Sequence, residues 1–336
     1  MNIIVTGGAG FIGSNFVRLT SHMYPDVNIT VIDKLTYAAD PRSLDGVTNV
    51  KLTHEDINTY EALNDLMPQA DLIVHFAAES HNDNSLVSPK HFLHSNVDGT
   101  FHLLEAVRHY GVRMHHVSTD EVYGSLPLRS WRRPVRSMRK FHTRSPYQPS
   151  SPYSGSKAAS DMLVMAWAHS YRLPITISHA SNNFGPYQHV EKFIPRTITN
   201  MIDGIVPRLY GNGQHIRDWI HVDDHNRAIW DIINKGKIGE KYHVSAHCEK
   251  SNIDIARHIL HYFHHDINDI TFVQDRPGHD IRYSLHSRKL RKELGWKPRH
   301  VFEKSLNNTI DWYIHNESWW RNKKEETEKK YISQGH

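Results

Sequence analysis

Apolar and polar positions along the first half of the chain follow two alternating periods. Short apolar runs, "NIIVT" (2–6), "NITVID" (28–33), "DLIVHFAA" (71–78), "VRMHHVS" (112–118) and "LPITISHA" (173–180), have the length of buried strands. Between them, the stretches from Phe11 to about Tyr24, from about Val97 to Tyr110 and from Tyr153 to Tyr171 carry apolar residues at helical spacing. Strands alternating with amphipathic helices predict an α/β fold, a doubly wound parallel sheet with helices on both faces, over residues 1–181. After "NNFGPYQ" (182–188) the pattern loosens into short mixed elements with turn signals such as "GNG" (211–213). A smaller C-terminal α/β lobe over 182–323 is expected there, with segments free to interleave between the two parts. The last helical stretch carries Trp319 and Trp320, and the charged tail over 324–336 is expected to be a solvated or frayed helix. No internal repeat or low-complexity linker interrupts the chain.

Composition narrows the class. A chain of 336 residues has material for about two domains and a sizeable core. No apolar run approaches the roughly 20 residues of a membrane span, and the chain enters a strand pattern at once, so neither a membrane nor a signal peptide is expected. Cys248 is the single cysteine, which excludes an internal disulfide and a cysteine-based metal cluster and makes a reducing cytoplasm the expected compartment. The net charge of +4 is uneven: residues 129–144 hold seven Lys/Arg and no acid, leaving −3 for the rest. That run, with Trp131 and Phe141, has a composition able to touch nucleic acid, but Pro134 and its serines fit a solvated loop better, and nucleic acid is not expected as a partner. The 28 histidines form no evident cluster with acids. No metal site is expected, and most of them are read as surface residues.

Candidate chemistry gathers in three places. "TGGAGFIG" sets Gly7, Gly10 and Gly13 right after a strand and at the opening of a helix, where backbone N–H groups can approach a pyrophosphate. Asp33 ends the next strand, 20 residues after Gly13, suited to the hydroxyls of an adenosine ribose and repelling a 2′-phosphate. Together they predict a Rossmann-type site for NAD⁺ rather than its phosphorylated form, although Lys34 tempers the preference. "SPYSGSK" places Tyr153 and Lys157 at i, i+4 on one helix face, where a lysine can help a tyrosine act as a base. "VSTDEVYG" (117–124) puts Asp120 and Glu121 behind the hydroxyls of Ser118 and Thr119, at the end of an apolar strand.

The glycine turn and the Tyr–Lys pair together resemble the short-chain dehydrogenase/reductase superfamily in its extended form. Epimerases of that superfamily carry small neutral residues where this chain has Asp120 and Glu121, whereas "STDEVYG" resembles the nucleotide-sugar 4,6-dehydratases. "TGGAGFIGSNF", "DKLTYA", "FAAESH", "STDEVYGSL", "SSPYSGSKAASD", "SNNFGPYQHVEKFIPR", "LYGNGQHIRDWIHVDDH", "DRPGHDIRY" and "LGWKP" extend the resemblance over nearly the whole chain. The resemblance implies dTDP-glucose as substrate, converted to dTDP-4-keto-6-deoxyglucose and water with tightly held, regenerated NAD⁺, at the entry to rhamnose-type deoxysugars. It implies a catalytic set of Thr119, Asp120, Glu121, Tyr153 and Lys157, with Glu121 as base at C5 and Asp120 as acid at C6. Besides the glycines, Asp33, Tyr153 and Lys157, it places Phe11, Ile12, Lys34, Thr36, Asp56 and Ile57 around the dinucleotide. Phe76, Ala77, Ala78, Ser80 and Asn96 complete that set. Ser85, Thr119, Asn182, Lys192, Tyr210, Arg217, Asn252, His279 and Tyr283 are implied to hold the nucleotide sugar. It also implies a homodimer through the helices near 97–110 and 153–171.

The chain departs from the family at three points: Asn84 stands where many members have arginine, Ala39 where glycine is usual, and the segment before "PSSPY" is basic where relatives are commonly acidic. Those differences bear on affinity more than on reaction type. UDP- or CDP-glucose as substrate, a 4-epimerase, and an NAD- or nucleic-acid-binding scaffold are the alternatives.

Overall fold

The computed structural model describes residues 1–128, 139–275 and 277–333, with the backbone alone at 330, 332 and 333. Most of the basic run, residues 129–138, lies outside the described residues, as do 276 and 334–336.

The strands, in chain order, are β1 (Asn2–Thr6), β2 (Asn28–Asp33), β3 (Val50–His54), β4 (Leu72–His75), β5 (Arg113–Thr119) and β6 (Ile175–Ala180). They are followed by β7 (Asn182–Phe184), β8 (Arg208–Tyr210), β9 (Ile216–His221), β10 (Lys241–Val244), β11 (Glu249–Ser251) and β12 (Thr271–Val273). Seven of them form one sheet in the order β10-β6-β5-β4-β1-β2-β3, every neighbouring pair parallel. The strand order reverses between β1 and β4, the place where doubly wound sheets open a crevice at their carboxyl ends. β4 and β6 are buried at every position, which is why they read as continuous apolar runs. β3, an edge strand of half-exposed residues, gave no such run and was missed. The seventh strand, β10, comes from within the range expected for the lobe, so the two parts do interleave.

One sheet face packs Ile4, Ile73, Met114 and Ile175 against Leu103, Leu104 and Val107 of the Gly99–Tyr110 helix and Val164 of the Pro152–Tyr171 helix. The other packs Ile3, Val5 and Val31 against Phe16 and Val17 of the Phe11–Met23 helix and Ile229 and Trp230 of the Val222–Lys235 helix. The lobe has its own core, in which Ile198, Ile259, Leu306, Ile310 and Trp320 meet. Its strands form a small β11-β9-β7 sheet and a β12-β8 pair.

Two expectations need correction. The tail is a continuous helix, Glu317–Ser333, whose inner face is packed: Trp320 and Lys324 are buried, and the Lys324 ammonium meets Asp203 at 2.6 Å. The tail is therefore docked along one side, because its charged residues find partners and its aromatic residues find the core. The reading of most histidines as surface residues holds for the majority of the described ones and needs correction only for a buried minority, among which His75, His115, His116, His179 and His243 sit on β4, β5, β6 and β10 at no more than 1% exposure. Strand neighbours satisfy both ring nitrogens of His115, Thr176 at 2.9 Å and Ser178 at 2.9 Å, whereas His116 and His179 turn one nitrogen to Asp161 and His243 turns one to the Tyr123 hydroxyl.

Candidate active site

The glycine turn lies at the switch point of the sheet. Gly7 has φ +70°, and a Cβ on it would stand 2.6 Å from the Ala77 nitrogen at the end of β4. A Cβ on Gly13 would run into the Gly7 carbonyl. Side chains would fill this cradle, and Gly10 caps the helix whose N–H groups open into it. Asp33, at the tip of β2, accepts the N–H groups of Ala9 (2.9 Å) and Leu35 (2.9 Å), and burial raises its pKa. Lys34 is drawn to Asp56 at 2.6 Å, and Ile57 is buried against Gly99. The Thr36 carbonyl accepts the Ala39 N–H at 3.0 Å, closing the turn beyond β2. Phe11 and Ile12 open the helix after the cradle, while Phe76, Ala77, Ala78 and Ser80 run on from β4 along its far side. The cradle thus suits a dinucleotide.

Asn96, implied to lie near the dinucleotide, is held by protein hydrogen bonds. Its amide donates to the Glu79 carbonyl (3.0 Å) and Ser156 Oγ (2.8 Å), and its oxygen accepts the Glu79 N–H (2.8 Å). Both N–H groups of the amide are used, and they tie the segment beyond β4 to the Pro152–Tyr171 helix.

β5 delivers Thr119 to the carboxyl edge of the sheet, and Asp120–Tyr123 turn tightly behind it. Thr119 Oγ1 caps that turn by accepting the Glu121 N–H at 3.3 Å. Gly124, at φ +75°, ends it where a Cβ would strike the Gln148 carbonyl. The turn sends the two acids opposite ways. Asp120 points inward at 2% exposure, one carboxylate oxygen without a partner, and burial, then Glu121 and Asp218, push its pKa well above the carboxylate range. Glu121 faces the cleft and accepts the Asn82 amide at 2.8 Å, while Asn82 Oδ1 accepts Ser151 Oγ at 2.9 Å.

Ser151 and Ser154 form a capping box that starts the Pro152–Tyr171 helix and sets Tyr153 in its first turn. Burial and Glu121 raise the Tyr153 phenol, and the Thr119 hydroxyl works against them. One turn on, Lys157 is buried and donates to the Val117 carbonyl at 3.0 Å; burial lowers its pKa. A further turn on, Asp161 gathers His116 (3.0 Å), Ser118 (2.9 Å), Tyr147 (3.0 Å) and His179 (2.8 Å). Despite burial, His179 and His116 hold it far below the carboxylate range.

A cleft of about 1170 Å³, solvent mouth included, opens from Glu121 into the lobe. Asn182, Lys192, Tyr210, Arg217, Asn252, His279 and Tyr283 all line it. Arg217 lies over the Tyr283 ring at 4.3 Å, and Tyr283 donates to Asp280. Lys192 Nζ donates to the Ser80 carbonyl at 2.7 Å, joining lobe to cofactor side. Ser85 is not among the lining residues: it is fully buried and donates to the Asn82 carbonyl at 2.6 Å, within the same short helix, Asn82–Val87. His279 stacks on His215 with ring centroids 3.7 Å apart and pairs with Asp275 at 2.7 Å. His215 meets the same carboxylate at 3.2 Å, so the three groups lie close together. Sequence reasoning did not single out Asn82, Ser151, Asp161, Arg196 or Tyr331: Ser151, Asp161 and Arg196 fall inside segments that carry the resemblance, but the partners that give all five their places lie far off in the chain.

The GDP-mannose 4,6 dehydratase family model matches residues 4–309. The dTDP-glucose 4,6-dehydratase of Mycolicibacterium smegmatis is 52% identical over 337 residues, covering 100% of both chains. The crystal structure of DesIV, a dTDP-glucose 4,6-dehydratase from Streptomyces venezuelae with NAD and TYD bound, superposes with a TM-score of 0.90 at 41% identity, covering 96% of this chain and 100% of that one. The dTDP-glucose 4,6-dehydratase of Bacillus anthracis in complex with NAD gives 0.87 at 39% identity, covering 96% and 99%.

Proposed function

The chain belongs to the GDP-mannose 4,6 dehydratase family, and from that premise we propose that it is an NAD-dependent hydro-lyase converting dTDP-glucose to dTDP-4-keto-6-deoxyglucose and water. The observation that carries the reading is the division of labour between adjacent acids. Asp120 is buried, which favours its protonated form, while Glu121 lies in the cleft with an oxygen held by Asn82.

Tyr153 takes the proton of the C4 hydroxyl. Burial and Glu121 oppose its ionisation, and Lys157, one turn away, is the cation the chain provides against them. The glycine cradle of Gly7, Gly10 and Gly13 with Asp33 would hold NAD⁺, which when bound would supply the two-electron hydride chemistry between C4 and C6. The C4 ketone acidifies C5, whose proton Glu121 removes as Asp120 protonates the C6 hydroxyl and water departs. Glu121 then returns a proton to C5, so the net change is loss of one water with no net oxidation. Lys192 and Arg217 suit the two phosphates, and Tyr210, Asn252 and His279 complete the nucleotide cleft.

Incubation with dTDP-glucose, and separately UDP-glucose, without added reductant tests the reading by mass spectrometry. Loss of one water from the dTDP sugar is expected, and a change of C4 configuration at unchanged mass would make the chain an epimerase. Glu121→Gln should still oxidise C4 but lose dehydration by about 10²–10⁴-fold, the usual contribution of a general base. Full-rate dehydration by that variant would remove Glu121 from its role.

The quaternary reading is a homodimer. On the outer side of the Gly99–Tyr110 and Pro152–Tyr171 helices, Phe101, Met162 and Tyr171 are exposed, and Trp167 bridges Phe101 and Tyr171 at 5.9 Å each. Such a contiguous aromatic face favours a partner over water. No helix among the described residues is long and apolar enough to cross a membrane, and a single cysteine supports a reducing cytoplasm as the working compartment.

A further inference from the structure

One turn beyond Lys157, the Pro152–Tyr171 helix carries a charged residue that the reaction steps above do not use. Asp161 is fully buried. His116 Nε2 meets its Oδ1 at 3.0 Å, while Ser118 Oγ (2.9 Å), the Tyr147 hydroxyl (3.0 Å) and His179 Nε2 (2.8 Å) meet Oδ2. His116 and Ser118 alternate along β5, so both turn to the face that the helix covers, and His179 joins them from β6, paired with Ser118.

These partners satisfy the carboxylate without cancelling its charge. Both imidazoles reach Asp161 through Nε2 and leave Nδ1 buried with no partner among the described residues. A proton on either Nδ1 would be a buried N–H without an acceptor, so the arrangement is that of neutral rings. An ionised carboxylate is costly to bury, and a cation close by offsets that cost. Lys241 lies outward of the cluster, 5.0 Å over the Tyr147 ring. Lys157 lies inward on the same helix face as Asp161, buried, with Nζ 3.0 Å from the carbonyl of Val117, the neighbour of Ser118.

The other titratable groups facing Lys157 give its charge no support. Burial holds His75 on β4 well below its ordinary pKa and His116 on β5 at about 4, so both rings are neutral. Tyr153, on the same helix, is the group that Lys157 serves. Burial lowers the Lys157 pKa, and Asp161 is what works against it. Asp161 also opposes the ionisation of Tyr153, but from two turns away and last among the causes that raise the phenol.

We propose that Asp161 is a positioning residue for the reaction, a buried counter-ion that keeps the Lys157 ammonium charged beside Tyr153. The assignment rests on the nucleotide-sugar reading above, in which Tyr153 takes the C4 proton. Without the carboxylate, Lys157 sheds its proton at lower pH, and Tyr153 loses the cation that its ionised form needs. For charges about 5–6 Å apart, the spacing of side chains one turn apart, and an effective dielectric constant of about 20, the effect amounts to about two pH units.

The test is the pH dependence of C4 oxidation, read as reduced nicotinamide formed in one turnover of dTDP-glucose by the NAD-loaded enzyme. Glu121→Gln serves as the parent, because it should hold the reaction at that stage. Added to it, Asp161→Asn should move the alkaline limb of the profile to lower pH by about two units. Asp161→Ser, which leaves room for a water in place of the carboxylate, should do the same and carries the test if the asparagine variant does not fold. Asp161→Glu keeps the charge and should keep the limb near that of the parent. Ser118→Ala, which removes one bond to the carboxylate but not its charge, should leave the limb in place as well. Melting temperature and the binding of NAD⁺ and dTDP are measured for each. Slower oxidation in Asp161→Asn with an unmoved alkaline limb would make Asp161 a packing group and overturn this proposal alone. Absence of reduced nicotinamide in the parent and of water loss in wild type would overturn it together with the functional reading beneath it.

Discussion

Asn82 is where a change of a single atom should produce a large and specific response. Its amide nitrogen donates to Glu121 Oε2 at 2.8 Å, and its oxygen accepts Ser151 Oγ at 2.9 Å. Asn82→Asp preserves shape and the Ser151 bond but sets a second carboxylate against Glu121. Two unit charges about 4 Å apart repel by about 4 kcal/mol at an effective dielectric constant of about 20. At about 1.4 kcal/mol per pK unit, the pair would hold a shared proton over about three further pH units. A protonated pair cannot take the C5 proton. The acid limb of the kcat/KM profile for dTDP-glucose should therefore move alkaline, by up to about three units when the new carboxylate cannot turn away. Oxidation at C4, which does not use Glu121, should persist at neutral pH while water loss falls. Asn82→Leu, which removes the hydrogen bond without adding charge, is the control and should move the limb in the same direction but by much less than Asn82→Asp. The assay is the pH dependence of water loss by mass spectrometry, with dTDP and NAD⁺ binding checked in each variant. An Asn82→Asp profile superimposable on wild type, with both ligands still bound, would refute the argument that this contact governs the base.

The buried histidines predict acid lability. Burial holds His75, His115 and His243 well below their ordinary pKa and His225 at about 3, so all four are neutral in the fold. Unfolded, they titrate near 6.5, so below that pH the unfolded chain binds more protons and the stability present above it is lost; one unit below, the loss is about 1.4 kcal/mol each, about 5 kcal/mol together. Urea unfolding on either side of that pH measures it, and an unmoved midpoint would show that these rings do not stay neutral in the native state. For the quaternary proposal, Phe101→Glu combined with Met162→Glu should sediment as a monomer with its melting transition retained. A dimer persisting at the same concentration would place the interface on another face.

What could be read from the chain was what depends on near neighbours in it. Strands buried on both faces have to be apolar throughout, so β1, β2, β4, β5 and β6 were visible, whereas the half-exposed edge strand β3 was not. A glycine turn between strand and helix is a local steric requirement, and the i, i+4 spacing of Tyr153 and Lys157 follows from the helix itself. Contacts across long separations carry no such mark. The bond from Asn82 to Glu121 spans 39 positions, and the Arg196–Glu328 pair that holds Tyr331 spans 132. The same holds for Asn96, whose residue type suited a ligand and which is bonded to Glu79, 17 positions away, and to Ser156, 60 positions away. The adjacent acids show the division most clearly. Sequence alone determined that Asp120 and Glu121 stand together at the end of a strand. Only the tertiary structure decided which one keeps its proton, because a tight turn sends successive side chains to opposite sides, and burial in a low-dielectric interior favours the neutral form of the one that points in.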